Sequence, residues 1–147
     1  SAKYDVYKLV NHGYKETMGR IGKFPFPMSV EEALSYIKNK LEIPVLRYAG
    51  NRDRLVEKIA ILGGAGAEFA GVAKSMGADL YLTGDLKYHE AQDAAMNGLV
   101  IADGGHFYTE RVIIPYLAKR LRDEFKTRGW NVGVLEDVRA KDIFHCV

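Results

Sequence analysis

The sequence predicts an α/β fold, a layered sheet with a parallel core built from strand–glycine loop–helix units whose helices pack on the sheet. Three observations carry this. An apolar run, a glycine-bearing loop and a helix-spaced segment recur in that order three times between residues 58 and 125. The runs at 58–62, 79–82 and 99–102 are nearly continuous in apolar residues, as strands buried on both faces are. Each segment between them is long enough for a crossover helix, which parallel neighbours require.

Taken in order, residues 4–10 carry tyrosines and valines with short-range alternation and read as a strand. Residues 11–22 are rich in glycine and polar side chains and read as a loop. Pro25 and Pro27 argue against regular structure just before Ser29. Ser29 and Glu32 have the spacing of a capping box. Val30, Ala33, Leu34, Ile37 and Leu41 then keep helical spacing, so a helix is expected over 30–41, ended by Pro44. Residues 45–49 form a short strand candidate.

The first unit is a strand over 58–62, the loop Gly63-Gly64-Ala65-Gly66, and a helix through Phe69 and Val72 to Met76. The second is a strand over 79–82, the turn Thr83-Gly84-Asp85 and a helix over 86–96, with Asp85 a natural N-cap. The third is a strand over 99–102, the loop Asp103-Gly104-Gly105-His106 and a long helix toward Phe125. Gly77 and Gly98 stand where helix C-termini want a left-handed residue. Pro115 removes a helical hydrogen bond, so the third helix should kink or restart there, parting the turn of His106 and Glu110 from the amphipathic remainder. Arg128-Gly129 closes that helix, and residues 131–135 suggest a final strand.

A length of 147 residues favours one domain over 1–147, with a core that needs no staples. A hydrophobic share of 48% with 27% charged residues is the balance of a soluble globular chain. The net charge of +2 is too small to favour direct nucleic-acid binding. Cys146 stands alone, so no disulfide framework is expected, which suits a cytoplasmic, reducing setting. No run is apolar enough to span a membrane, and Ser1-Ala2-Lys3-Tyr4 lacks the shape of a secretory leader.

Parallel topology places every strand-to-helix loop at the carboxyl edge of the sheet, where ligands bind. The loops at 63–66, 83–85 and 103–106 should therefore share one rim. Their backbone N–H groups and helix starts would suit phosphate or another anion, which makes Gly64, Gly66 and Thr83 candidate substrate contacts. The 63–66 loop has neither the lysine nor the hydroxyl residue of a P-loop, and Phe69 stands where a dinucleotide fingerprint wants its third glycine. It also reads simply as a tight turn.

His106 and Glu110 are four apart, one turn along a helix face. An imidazole and a carboxylate there can grip one cation, and imidazole favours zinc, manganese or iron over calcium or magnesium. The competing reading is a surface histidine at a helix start with a glutamate stabilised by the dipole. His89 lies one turn beyond Asp85, so the pair are candidates for orienting or protonating a substrate, against the plain reading of a cap and a solvent-facing histidine. His12 and His145 have no partner pattern. The mixed charges from Lys119 to Lys126 read as a solvated helix face, and Trp130 as a packing residue.

Together, Gly19-Arg20-Ile21-Gly22, Pro27-Met28-Ser29-Val30-Glu31-Glu32, the 63–66 loop, Thr83-Gly84-Asp85-Leu86-Lys87-Tyr88-His89 and Asp103-Gly104-Gly105-His106-Phe107-Tyr108-Thr109-Glu110 resemble the NGG-one-interacting factor three-like family. Its members are also described as dinuclear metal-centre proteins or GTP cyclohydrolase I type 2 homologues. The resemblance implies two similar α/β halves facing each other across a cleft that holds two metal ions. His106 and Glu110 match the metal-binding histidine and glutamate of the C-terminal half, the glutamate able to bridge both ions. His89 matches a histidine that faces substrate or supports the ligands.

The N-terminal half of the family contributes an adjacent histidine pair and an aspartate, and no adjacent histidine pair occurs here. The chain therefore resembles the C-terminal half alone. Ala65 also stands where many relatives carry serine. The resemblance implies half of a two-metal hydrolase-type site acting on nucleotide or phosphate-containing substrates, with a missing N-terminal half as partner and ring-shaped homo-oligomers. The alternative is a non-enzymatic metal-binding assembly or regulatory module. Two protein ligands rarely hold a transition metal tightly, so weak or absent binding is expected of this chain alone.

Overall fold

The structure, a computed structural model, describes residues 7–8 and 18–145. In chain order the elements are β1 (Tyr7–Lys8), β2 (Arg20–Ser29), α1 (Val30–Leu41), β3 (Arg47–Ala49) and β4 (Leu55–Ala65). A 3₁₀ turn (Ala67–Phe69), α2 (Ala70–Ser75), β5 (Leu80–Gly84), α3 (Tyr88–Met96), β6 (Val100–Asp103), α4 (His106–Glu110) and α5 (Ile113–Thr127) come next. Six strands form one sheet in the order β1-β2-β4-β5-β6-β3. The β4–β5 and β5–β6 pairs are parallel, and β1, β2 and β3 extend the sheet with antiparallel pairings.

The central strands explain the apolar runs. Every residue of β5 and β6 is buried. Leu80, Leu82, Val100 and Ala102 pack with Val30, Ala33, Leu34 and Ile37 of α1 on one face. Tyr81 and Ile101 pack with Ala73 and Ala94, from α2 and α3, on the other. This alternation follows from the two-residue period of a strand. Each fully buried Leu or Ile side chain contributes about 1.5–3 kcal/mol.

Two local devices fix the frame. Ser29 and Glu32 make the expected capping box, with the Glu32 amide donating to Ser29 Oγ at 3.2 Å and the Ser29 amide to Glu32 Oε2 at 2.8 Å. These bonds to Ser29 hold the Glu32 carboxyl below its ordinary pKa. Asp79, just before β5, ties down the start of β4: its carboxylate accepts from the Glu57 and Lys58 amides at 3.0 and 2.9 Å and from Arg54 at 2.8 Å. Partial burial pushes the Asp79 carboxyl up, but these three donors together outweigh it and leave the pKa lowered.

Several expectations are corrected. Pro25 and Pro27 do not exclude a strand: β2 runs through both, and its ladder with β4 is interrupted between Lys23 and Met28, where prolines cost no interstrand bond. Residues 20–22 therefore belong to β2, not to a loop. Of the strand expected over 4–10, Tyr7 and Lys8 are described and pair with β2, and the remainder lies outside the described residues, as do positions 11–17. β4 continues through Gly63, Gly64 and Ala65 before it turns.

α3 starts at Tyr88, two residues later than expected, and its Glu90 accepts from the Lys87 amide at 2.9 Å. Asp85 is thus not its N-cap. Residues 131–135 form no strand: they pair with no described strand, lie mostly exposed, and the Val134 carbonyl accepts from the Arg122 side chain instead. The third helix does restart, as α4 and α5, with Pro115 in the first turn of α5, where its missing N–H leaves no helical bond unmade. Gly77 and Gly98 take φ of +84° and +70° at the ends of α2 and α3, as expected.

Candidate functional site

The three strand-to-helix loops do meet at one rim. α4 rests directly on the ends of β4 and β5. A Cβ on Gly84 would lie 2.9 Å from the His106 amide nitrogen, and one on Gly64 would lie 2.4 Å from Glu110 Oε1. Glycine at these two positions is what lets a helical turn sit against strand backbone.

On that turn His106 lies between two carboxylates. Its Nδ1 is 2.7 Å from Asp85 Oδ2, and its Nε2 is 3.2 Å from Glu110 Oε2. Asp85 reaches it from a backbone in the left-handed region, φ +54°, a conformation that aspartate tolerates better than most residues. All three side chains are about half exposed, at 49%, 51% and 53%. The hydrogen bond to Asp85, with Glu110 adding to it, raises the His106 pKa above its ordinary value.

This geometry fits an imidazole–carboxylate metal grip. Glu110 faces Nε2, while Asp85 takes Nδ1 and so fixes which nitrogen presents a lone pair; such a carboxylate orients a metal-binding imidazole and raises its basicity. The two carboxylates sit at opposite edges of the ring and do not converge. Among the described residues, no group of three or more His, Cys, Asp and Glu side chains is placed to hold one ion. His106 and Glu110 alone therefore make no complete cation site among the described residues.

Several of the rim's hydrogen-bonding groups are committed within the protein. The Gly64 N–H donates to Thr109 Oγ1 at 3.0 Å, and its carbonyl accepts from Thr83 Oγ1 at 3.0 Å. Thr83 is fully buried. The Gly104 amide donates to the Thr83 carbonyl, and the Gly105 amide to Asp103 Oδ1. The Gly66 carbonyl accepts from the buried Tyr81 hydroxyl at 2.6 Å. Gly64 and Thr83 thus serve as structural supports of α4, where the sequence suggested anion contacts.

Beside the cluster lies a cavity of about 1530 Å³ lined by Asp85, His106 and Glu110 together with Arg47, Arg111 and the Ile143–His145 stretch. Arg47 is 73% exposed and ion-paired at 2.6 Å to Asp103, which is only 8% exposed. His89 is not among the lining residues; it is exposed on α3 in a T-shaped contact with the Tyr88 ring. The structure brings Asp85, His106 and Glu110 together and leaves His89 outside. Sequence reasoning passed over Thr109, although its place three residues after His106 puts it on the same turn as the pair.

α5 contrasts with this rim. Of its side chains Ala118 is buried, whereas Ile113, Tyr116, Leu117 and Leu121 are 36–62% exposed. Trp130 packs on Phe125 at 5.8 Å and under Arg128. No described helix is long and apolar enough to cross a membrane.

Comparison with known proteins identifies the family. Residues 3–141 match the family described as Duf34/NIF3 (NGG1p interacting factor 3). A Bacillus subtilis protein named GTP cyclohydrolase 1 type 2 homolog is 34% identical over 131 residues, which is 89% of this chain and 35% of that protein. A Clostridium perfringens protein of the same name is 35% identical over 88% of this chain and 48% of its own length. A Bacillus cereus crystal structure, of a protein related to NIF3, superposes with a TM-score of 0.84 at 35% identity over 90% of this chain and 37% of that one. The chain thus spans between about a third and a half of these relatives' lengths. With that match and the mixed α/β sheet in agreement, the chain belongs to the Duf34/NIF3 family.

Proposed function

We propose that this chain is half of a dinuclear-metal, hydrolase-type site, completed by a partner that supplies the remaining ligands. The observation that carries the reading is the Asp85–His106–Glu110 relay at the carboxyl edge of the parallel strands. His106 Nε2 and the Glu110 carboxylate would hold zinc, manganese or iron. A divalent transition metal supplies Lewis acidity that polarises a carbonyl, imine or phosphoryl centre. Asp85 accepts a hydrogen bond from Nδ1–H, which keeps Nε2 as the nitrogen with the free lone pair and makes it a more basic ligand. Glu110 adds negative charge beside it, so both carboxylates favour a cation in this pocket.

The substrate class we infer is nucleotide or phosphate-containing, supported by the names of the relatives and by the exposed Arg47 guanidinium on the cavity wall. His89, outside the cluster, would take part only by facing a substrate that reaches over α3. The missing N-terminal half is the proposed partner, in a cytoplasmic homo-oligomer. Its support is that the chain spans only 35% of a matched relative. The exposed apolar face of α5 favours a second reading, a metal-binding assembly or regulatory module without turnover.

The test is metal analysis of this chain, alone and joined to the remaining portion of a full-length family protein, each with and without His106→Ala. Weak binding by the chain and tight binding by the joined form, abolished by H106A, is the expected result. Unchanged metal content in H106A ends the metal reading. A screen of nucleotides and phosphoesters against the metal-loaded joined form separates the two functions. Hydrolysis lost in H106A supports the enzyme, and metal-dependent assembly without hydrolysis supports the module.

A further inference from the structure

α4 is five residues long, too short to hold its shape or its place by its own hydrogen bonds. Something else must fix Glu110 relative to His106. Thr109 lies between them, only 7% exposed. Its Oγ1 accepts the Gly64 N–H at 3.0 Å and donates within α4 to the Gly105 carbonyl at 2.8 Å, with the His106 carbonyl at 3.1 Å. Gly64 is in turn held from behind by the Thr83 hydroxyl at 3.0 Å. One continuous chain of hydrogen bonds therefore runs from β5 through β4 into the turn that carries both candidate ligands.

Gly64 has a second part in this. At φ +69° its open side faces the pair, and a Cβ there would lie 2.4 Å from Glu110 Oε1 and 3.3 Å from His106 Cε1. The space a side chain would fill is the seat of the Glu110 carboxylate. We propose that Thr109 and Gly64 are the positioning residues of this half-site, Thr109 latching α4 to β4 and Gly64 seating Glu110 opposite His106 Nε2. The inference rests on the reading that His106 and Glu110 hold a metal ion.

The experiment compares wild type, Thr109→Ser, Thr109→Val and Gly64→Ala in this chain by cobalt(II) titration and by amide hydrogen exchange. Valine keeps the shape of threonine but leaves the buried Gly64 N–H without an acceptor. In T109V the Gly64 amide exchanges more than about tenfold faster and cobalt affinity falls about 10–100-fold, the range for residues that orient metal ligands. T109S keeps the oxygen and stays within about threefold of wild type on both readouts. G64A keeps the threonine latch but displaces Glu110, so it loses cobalt affinity by the same order. Should T109V fail to fold, Thr109→Ala, which also removes the acceptor, takes its place on both readouts. T109V or G64A binding cobalt as wild type does overturns the proposal. Should this chain alone bind no cobalt, metal binding by the joined form decides the metal reading, and Gly64 exchange decides the latch: unchanged protection in T109V overturns it.

Discussion

The rim formed by β4, β5, β6 and α4 and the neighbouring helix α5 lie two residues apart in sequence, yet they are built on opposite principles. On the rim, the Gly64 backbone and the Thr83 and Thr109 hydroxyls are bonded to one another, and the two candidate ligands rest on that buried support. In α5 the apolar side chains face outward, and its polar side relies on exposed pairs such as Lys119–Asp123 and Arg128–Glu124. Exposed pairs of this kind contribute about 0–1 kcal/mol each. A short turn can thus be held more firmly than a long helix when its anchors are buried. The rim has its supports within the chain, and α5 leaves its apolar face exposed.

That contrast gives graded predictions for urea unfolding of point variants. The largest effect belongs to the core beneath the rim. Leu82→Ala, at a fully buried position, should cost about 2–5 kcal/mol. Asp79→Ala comes next at about 1–3 kcal/mol, since it strands the Glu57 and Lys58 amides and the Arg54 guanidinium.

Asp79 also gives a pH test. Its folded pKa is depressed, so its contribution is complete above the unfolded value of about 3.9 and is lost as pH falls through the lower folded value. Wild type should therefore lose stability on acidification below about pH 4 by more than Asp79→Ala does. Equal acid slopes for the two would remove Asp79 from this role.

Two smaller effects sharpen the comparison. Asp85→Asn tolerates the same left-handed backbone, so stability should stay within about 0.5 kcal/mol while zinc affinity, read by calorimetry of this chain, drops about tenfold. Leu117→Ser, on the open face of α5, should also stay within about 0.5 kcal/mol. Sedimentation would then show whether self-association, where wild type has any, declines. A Leu117→Ser cost approaching that of Leu82→Ala would mean that α5 is packed in solution.

Much of this architecture is legible in the residues alone. The three apolar runs announce β4, β5 and β6: β5 and β6 are buried on both faces and need continuous hydrophobicity, whereas β4 leaves Ile61 of its run exposed. Ser29 with Glu32 marks the start of α1, and Pro115 announces the restart of α5. The misreadings have local causes. Pro25 and Pro27 look like strand breakers until the interrupted ladder between Lys23 and Met28 is known. Asp85 has the composition of an N-cap, but its left-handed backbone turns it to His106, a partner 21 residues away that no local pattern reveals. The stretch at 131–135 has strand-like residues but pairs with no described strand, and its Val134 carbonyl is taken by the Arg122 side chain.

The site is half legible for the same reason. His106 and Glu110 share one turn, so spacing alone can join them. The sequence offers Asp85 and Gly64 in other roles; their place against His106 and Glu110, like that of Thr109, is set by the crossover that lays three loops side by side. Gly64 invites an anion-binding reading because glycine loops so often expose N–H groups. Its N–H is in fact consumed by Thr109, which no glycine pattern could disclose.

Nitrogen NMR of the histidine rings during zinc titration of this chain probes the His106–Glu110 grip with the fewest intervening assumptions. Zinc should shift His106 Nε2 and leave its Nδ1 protonated toward Asp85, with His89 unaffected. A titration that moves His89 or His145 while His106 stays still would refute the grip.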